Sequence, residues 1–380
     1  MSAAGRVCVT VALLLGLVAA CGSDDDTRST APVNPEAGPI TEIVRTRVAE
    51  QDLTSAVYGV WRGGEQIALG ALGESPVGVS ATPDMRVRVG QPMEPMLSTV
   101  LWRLDGEGVV DLDEPIARWL PDFPRADVIT PRMLANSTSG IADYVTEPEF
   151  LKIFEENPIR AWTAAQLLDR ATARPPVFEP GTDWAYAHSD LVVLGEVLQN
   201  ATGKPLGALL AEHIFDPLGM RASEVVLDPV IDAPYLHGYT NERNLFEDST
   251  FWNPTAFLHS GNMNAPVADI GRWVRALATG ELLTPEQFDQ MMAPSTAGLG
   301  PLTPDRYFAF GVLHLADWIY MNPSYGGYFG VALHDTRTTT TIIVYTTPGP
   351  TSPSDNTAIP IGTALAGLLV PDRPPAVPGG

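Results

Sequence analysis

Strands at both ends of the chain and helices between them predict an α+β fold, with one sheet assembled from segments far apart in sequence. Three observations carry that reading. Near the amino terminus, the apolar runs Val57–Trp61 and Gln66–Leu69 flank Gly63-Gly64, a pair able to take the positive φ of a tight hairpin turn. Near the carboxyl terminus, Thr340–Thr346 reads TTIIVYT, a β-branched run suited to a pleated surface. The long middle section has helical periodicity punctuated by Pro and Gly, over 164–172, 189–201, 205–214, 266–279 and 285–292.

In chain order, the first element is a leader. Arg6 precedes an apolar run from Val7 to Ala20, too short to span a bilayer. It ends in Leu17-Val18-Ala19-Ala20-Cys21-Gly22, which resembles a bacterial lipobox. That resemblance implies cleavage after residue 20 and a diacylglycerol on the Cys21 thiol, placing the protein on the outer face of a cell membrane. The membrane would be held by the lipid anchor alone. The other cysteine, Cys8, lies in the removed leader, so the mature domain has neither a disulfide nor a catalytic thiol.

Residues 21–40 read as the lipidated cysteine and a polar, Pro-rich tether, residues 41–370 as the folded domain, and 371–380 as a tail too rich in Pro and Gly to fold. Within the domain, 43–51 predicts a short amphipathic helix, and a longer helix covers about 95–107. The closing strands are Phe308–Leu313, Val331–His334 and Thr340–Thr346. A last apolar helix near 356–369 contains Pro360 and two glycines, which predicts irregularity.

The 380 residues, 45% of them hydrophobic, are ample for a large core. The net charge of −22, or −23 once Arg6 leaves with the leader, argues against nucleic acid and against an electrostatic grip on anionic lipid. The six histidines show no His-x-x-x-His or His-x-Glu spacing, so no metal or other cofactor is expected. No Gly-x-Ser-x-Gly elbow and no Gly-rich phosphate loop is present.

The segment Met85–Pro121 is the most informative. It reads MRVRVGQPMEPMLSTVLWRLDGEGVVDLDEPIARWLP and resembles the nucleophile helix of the serine β-lactamase-related, penicillin-binding-protein-like family, of the class C β-lactamase and DD-carboxypeptidase type. The frame is kept by Arg88-Val89-Gly90, Leu104, Gly108, Leu112-Asp113, Pro115 and Leu120-Pro121. The resemblance extends over roughly 45–370. It includes Thr138-Ser139-Gly140-Ile141 with Asp143 and Tyr144, Pro180-Gly181 leading to Tyr186-Ala187-His188, Pro217-Leu218-Gly219-Met220, and Asp269-Ile270 with Trp273. It implies an antiparallel sheet flanked by helices, a helical lobe, and an active cleft between them.

The catalytic positions depart from the family pattern. Gln91 stands where the Ser-x-x-Lys serine belongs and Glu94 where its lysine belongs. The only lysines are Lys152 and Lys204, preceded three residues earlier by Glu149 and Ala201, so no Ser-x-x-Lys exists in the chain. The Tyr-x-Asn motif becomes Tyr186-Ala187-His188, and the Lys/His-x-Gly motif becomes Asn322-Pro323-Ser324. Tyr186 reads equally well as a core aromatic with a satisfied hydroxyl. A glutamine amide is no nucleophile, and acyl transfer needs both a hydroxyl and a neutral amine to take its proton.

The expectation is therefore a lipid-anchored envelope protein whose cleft has lost hydrolase activity and binds a cell-wall peptide, a glycan or an envelope protein. The rival is an active serine hydrolase, an esterase or carboxypeptidase, with its nucleophile relocated to Ser98 or Ser139. Ser137-Thr138-Ser139 is better explained as turn chemistry. Pro92 and Pro95 predict an irregular first turn in the nucleophile-type helix. Glu94 and His188 are expected within hydrogen-bonding reach, with Tyr186 beside them.

Overall fold

A computed structural model describes residues 34–378; the leader, Cys21 and the tether up to residue 33 lie outside the described residues. Helix α1 (Ala37–Glu50) opens the domain, followed by β1 (Leu53–Arg62) and β2 (Glu65–Gly73), joined through Gly63-Gly64 as the sequence predicts. The helix starts earlier than the predicted 43–51 and takes residues 37–40 from the expected tether. Asn34 causes this, because its side-chain oxygen accepts from the Glu36 amide and its carbonyl from Ala37.

A short strand β3 (Val87–Arg88) leads into α2 (Glu94–Gly106). The lobe follows with α3 (Pro131–Ala135), α4 (Pro148–Glu156), α5 (Ala164–Thr172) and α6 (His188–Thr202). The predicted helix over 205–214 is three pieces: α7 (Leu206–Leu210), a π-turn over Ala211–Phe215, and α8 (Asp216–Leu218), which stops at Gly219. The short strands β4 (Glu224–Val225), β5 (Tyr239–Thr240), β6 (Glu247–Asp248) and β7 (Met263–Ala265) come next, then α9 (Val267–Thr279) and α10 (Pro285–Met291). The sequence reading lacked α3 and α4. Both are short and begin with Pro, a first-turn residue that also reads as a loop signal.

Six strands then complete the main sheet: β8 (Arg306–Ala309), β9 (Val312–Leu315), β10 (Trp318–Met321), β11 (Ser324–Tyr325), β12 (Tyr328–Asp335) and β13 (Thr340–Pro348). The order is β2-β1-β13-β12-β10-β9-β8, with β11 on β12 and every pairing antiparallel. The first and last strands thus pair side by side, second and third from one edge, with Tyr58 opposite Val344. Helix α11 (Ala358–Leu369) and α1 cover one face, burying Ile40, Val44, Ile342, Val344, Ile361 and Leu365 together. The other face sets Ile343, Tyr345 and Ala332 against α2, α9 and the lobe. A strand buried on both faces has no polar side, which is why TTIIVYT is apolar at consecutive positions.

Three predicted features differ. Phe308–Leu313 is not one strand but two, folded back at Phe310-Gly311, both at positive φ (47° and 95°). That backbone is a primed hairpin turn without the usual Asn-Gly signal. The Phe310 ring, 5.5 Å from that of Trp102 on α2, holds it in place. Helix α11 is regular, because Pro360 is its third residue, where the amide has no intrahelical partner to lose. The tail over 371–378 has no helix or strand, yet it is tied to the sheet. Arg373 bonds Asp317 at 2.7 Å, its carbonyl accepts from Trp318 Nε1 at 2.8 Å, and Val377 packs on the core.

Two contacts set the framework under the cleft. A side chain on Gly311 would begin 2.7 Å from the Pro95 nitrogen, so the hairpin tip sits flush on the first turn of α2. Arg88, 1% exposed, donates to Asn264 Oδ1 of β7 (3.0 Å) and to the carbonyls of Pro229 (2.7 Å) and Thr250 (3.1 Å), tying two loops and β7 to β3 with neutral acceptors only. Gly311→Ala is expected to cost about 2 kcal/mol, from positive φ and backbone crowding combined. Arg88→Met, which leaves those acceptors unpaired, is expected to cost about 3 kcal/mol or more. Denaturant unfolding of each variant against the parent checks both.

Candidate functional site

Between the sheet and the lobe lies a cavity of about 360 Å³. It gathers all six positions picked out by the altered motifs: Gln91, Glu94, Tyr186, His188, Asn322 and Ser324. They come from four places: the turn before α2, the start of α6, the loop ahead of it, and the β10–β11 connection.

The turn before α2 is irregular, as the two prolines predict. Gln91–Met93 forms a 3-10 turn, and α-helix begins only at Glu94. Pro92 and Pro95 both fall in first turns, where amides are unpaired in any case, so neither breaks the ladder. The segment is clamped from both sides. Tyr345 Oη of β13 donates to the Val89 carbonyl at 2.6 Å, and Trp273 Nε1 of α9 donates to that of Pro92 at 2.8 Å.

Gln91 is used structurally: its Oε1 accepts from the Asn322 amide at 2.9 Å. The rest of that connection is equally occupied. Asn356 Nδ2 donates to the carbonyls of Asn322 (3.3 Å), Pro323 (3.1 Å) and Gly330 (2.9 Å), while the Gly330 amide donates to Pro323 at 2.8 Å. Ser324 opens β11 with an exposed side chain. Pro323 approaches Gly90 so closely that a Cβ there would lie 2.8 Å from the ring.

Glu94 is 1% exposed; Tyr186 donates its hydroxyl to Oε1, and Oε2 has no partner. Burial pushes this carboxyl well above its ordinary value near 4.5, opposed by the Tyr186 hydrogen bond and reinforced by the nearby Asp143 charge. Burial likewise drives the Tyr186 phenol well above 10, and the Glu94 charge adds to that. The floor of the cleft therefore holds a carboxyl whose ionisation is opposed by burial.

The expected direct contact between Glu94 and His188 is not formed. The Tyr186 hydroxyl stands between them, bonded to Glu94 and 3.5 Å from His188 Nε2. His188 turns its other nitrogen to Asp143, with Nδ1 to Oδ2 at 3.1 Å, while its backbone amide bonds Asp143 Oδ1 at 3.2 Å. Asp143 was legible only as a motif residue. Its role as His188's partner carries no spacing signal, because the two are brought together solely by the lobe.

The relocated nucleophiles of the rival reading are not in the cavity. Ser98 is fully buried within α2, and its hydroxyl has no partner. Ser139, 1% exposed, donates to Asp190 at 2.5 Å and accepts from the Ile141 amide at 3.0 Å, which is turn chemistry. Ser137 takes φ 61° in the same turn.

The sequence reading also missed an aromatic belt. Trp184 meets Phe308 (5.6 Å between centroids), Phe308 meets Tyr186 (6.1 Å) and Tyr186 meets His188 (5.0 Å). His188 meets Phe257 (5.7 Å), which meets Tyr325 (4.9 Å). Six rings from separate segments thus form one tilted and edge-to-face chain around the wall. Among the described residues, no group of three or more His, Cys, Asp or Glu is placed to hold a metal ion.

Glu94 gives a pH signature. The unfolded chain releases this proton near pH 4.5 while the folded protein keeps it, so stability is lost as pH rises above that value toward the folded pKa. Buried Asp190, raised for the same reason, contributes with the same sign. Glu94→Gln is expected to match the parent at pH 4 and to exceed it at pH 7 to 8 by about 1 kcal/mol or more. Thermal unfolding across that range, with a flatter pH dependence in the variant, is the check.

Comparison with known proteins agrees with this architecture. The β-lactamase family model matches residues 40–367. Esterase EstB of Burkholderia gladioli is 29% identical over 70% of this chain and 76% of its own length. The D-alanyl-D-alanine-carboxypeptidase/endopeptidase AmpH of Escherichia coli K12 is 26% identical over 69% of this chain and 68% of its own. Among solved structures, a D-stereospecific amidohydrolase from Streptomyces sp. superposes with a TM-score of 0.75 at 26% identity, covering 86% of this chain and 98% of that one. The mixed helical and antiparallel architecture, the matched span and the motif frame agree: this chain belongs to the β-lactamase family.

Proposed function

We propose that this chain is a non-catalytic member of its family, held on the outer face of a cell membrane through Cys21, whose cleft binds a cell-wall peptide, a glycan fragment or an envelope partner. The observation that carries the reading is the state of the two positions where acyl transfer would begin. Gln91 offers an amide already engaged with Asn322, and Glu94 offers a buried carboxyl bonded to Tyr186 where an amine base would stand. Neither supplies the hydroxyl nucleophile or the neutral amine that acyl transfer in this family uses. The lysines that could have served as base are exposed and outside the cavity lining, and Lys204 is paired with Glu212. The esterase, carboxypeptidase and amidohydrolase named among the relatives belong with this chain by overall similarity; the proposal rests on its own motif positions.

One observation favours a second reading, a residual hydrolase. Tyr186, His188 and Asp143 follow one another as phenol, imidazole and carboxylate, the order of a nucleophile, its base and the base's orienting group. Against it, the Tyr186 hydroxyl donates to Glu94, and its surroundings oppose loss of the proton. Incubation of the full chain with a fluorescent penicillin and with a fluorophosphonate, followed by intact-mass measurement, separates the readings. The expected result is an unchanged mass with saturable, reversible binding of a muropeptide. A stoichiometric adduct on Tyr186 or any other residue overturns the non-catalytic reading.

A further inference from the structure

We infer that the cleft is built for a small organic cation, an ammonium group carried on an apolar or aromatic body. This deepens the preceding proposal and rests on reading the cavity as a binding site. Four features of the cavity support it. None of its fifteen lining residues is Lys or Arg, so an anionic ligand would meet no opposing charge. Its wall is the continuous belt of rings described above, whose faces attract cations. Its floor holds Glu94, almost wholly buried, with one carboxyl oxygen left without a partner, a costly arrangement that a bound cation would relieve. Behind His188 lies a second carboxylate, Asp143, whose side chain pairs with that histidine and, among the described residues, with no Arg or Lys. A volume of about 360 Å³ suits one ring or a short alkyl body.

A cation docked here also draws Glu94 toward its ionised form, so binding should release a proton. The groups that face Glu94 are the Tyr186 hydroxyl from the loop before α6, His188 on α6, and Asp143 with Tyr144 from the turn opposite. His188 can also exchange a proton, so the measurement needs a variant in which Glu94 alone cannot.

The experiment is calorimetric titration of the full chain at pH 7 with benzylammonium, tetramethylammonium, benzyl alcohol and benzoate, repeated in phosphate and in Tris buffer. Benzylammonium is expected to saturate the site about tenfold more tightly than the isosteric alcohol, tetramethylammonium to compete with it, and benzoate not to bind. In the parent, the heat of benzylammonium binding should differ between the buffers, reporting proton release. In Glu94→Gln that difference should vanish and benzylammonium affinity fall about tenfold, with benzyl alcohol unchanged. Benzoate binding as tightly as benzylammonium, or no preference of the cation over the alcohol, overturns the inference. Muropeptide binding without a covalent adduct would then leave the non-catalytic reading standing, whereas an adduct with either labelling reagent would remove that reading itself.

Discussion

The site depends on the short segment from Val89 to Pro95 being held rigidly between the two layers of the domain. Its carbonyls are gripped from the sheet by Tyr345 and from α9 by Trp273, and the hairpin tip at Gly311 closes on it from a third side. Both side-chain donors are buried, so each bond, once lost, leaves an unpaired polar group in the core. A seven-residue turn is thereby fixed by three elements far apart in the chain. The placement of Gln91 in the wall and Glu94 in the floor follows from that clamp rather than from any preference of the turn itself.

The buried ionisable groups around the clamp are met by neutral partners. Arg88 donates to an amide oxygen and two backbone carbonyls, and Glu94 accepts from a phenol. The strong ion pairs lie elsewhere, on partly exposed surfaces, as between Arg132 and Asp113 or Arg170 and Glu147. A domain that buries a carboxyl under its cleft gives up stability as pH rises, and such unrelieved positions are characteristic of ligand sites.

Much of this architecture was legible in the sequence, for reasons that differ by element. The β1–β2 hairpin was readable because Gly63-Gly64 marks its turn, and β13 because burial on both faces removes every polar interruption. The β8–β9 hairpin was hidden because its turn is Phe310-Gly311, held by packing on Trp102 instead of by local turn chemistry. Helix α11 reads as irregular because in sequence Pro360 is indistinguishable from an interior proline, and only the helix start at Ala358 puts it in the first turn. The cleft positions were found together because the family frame carries them. The Glu94–His188 pairing failed where tertiary placement decides: the lobe brings Asp143 to His188 and interposes Tyr186. The aromatic belt had no sequence signal, since its rings come from separate segments that share no periodicity.

The β10–β11 connection sets how any extended ligand can meet this wall. The Asn322 amide is taken by Gln91, both the Asn322 and Pro323 carbonyls by Asn356, and Pro323 has no amide to give. Neither residue has a backbone N–H left to offer. An incoming polypeptide therefore cannot prolong the sheet there by adding itself as one more strand, the commonest way an exposed edge captures a chain. Recognition along this side has to run through side-chain surfaces and shape, which favours the tip of a molecule over the middle of a polymer.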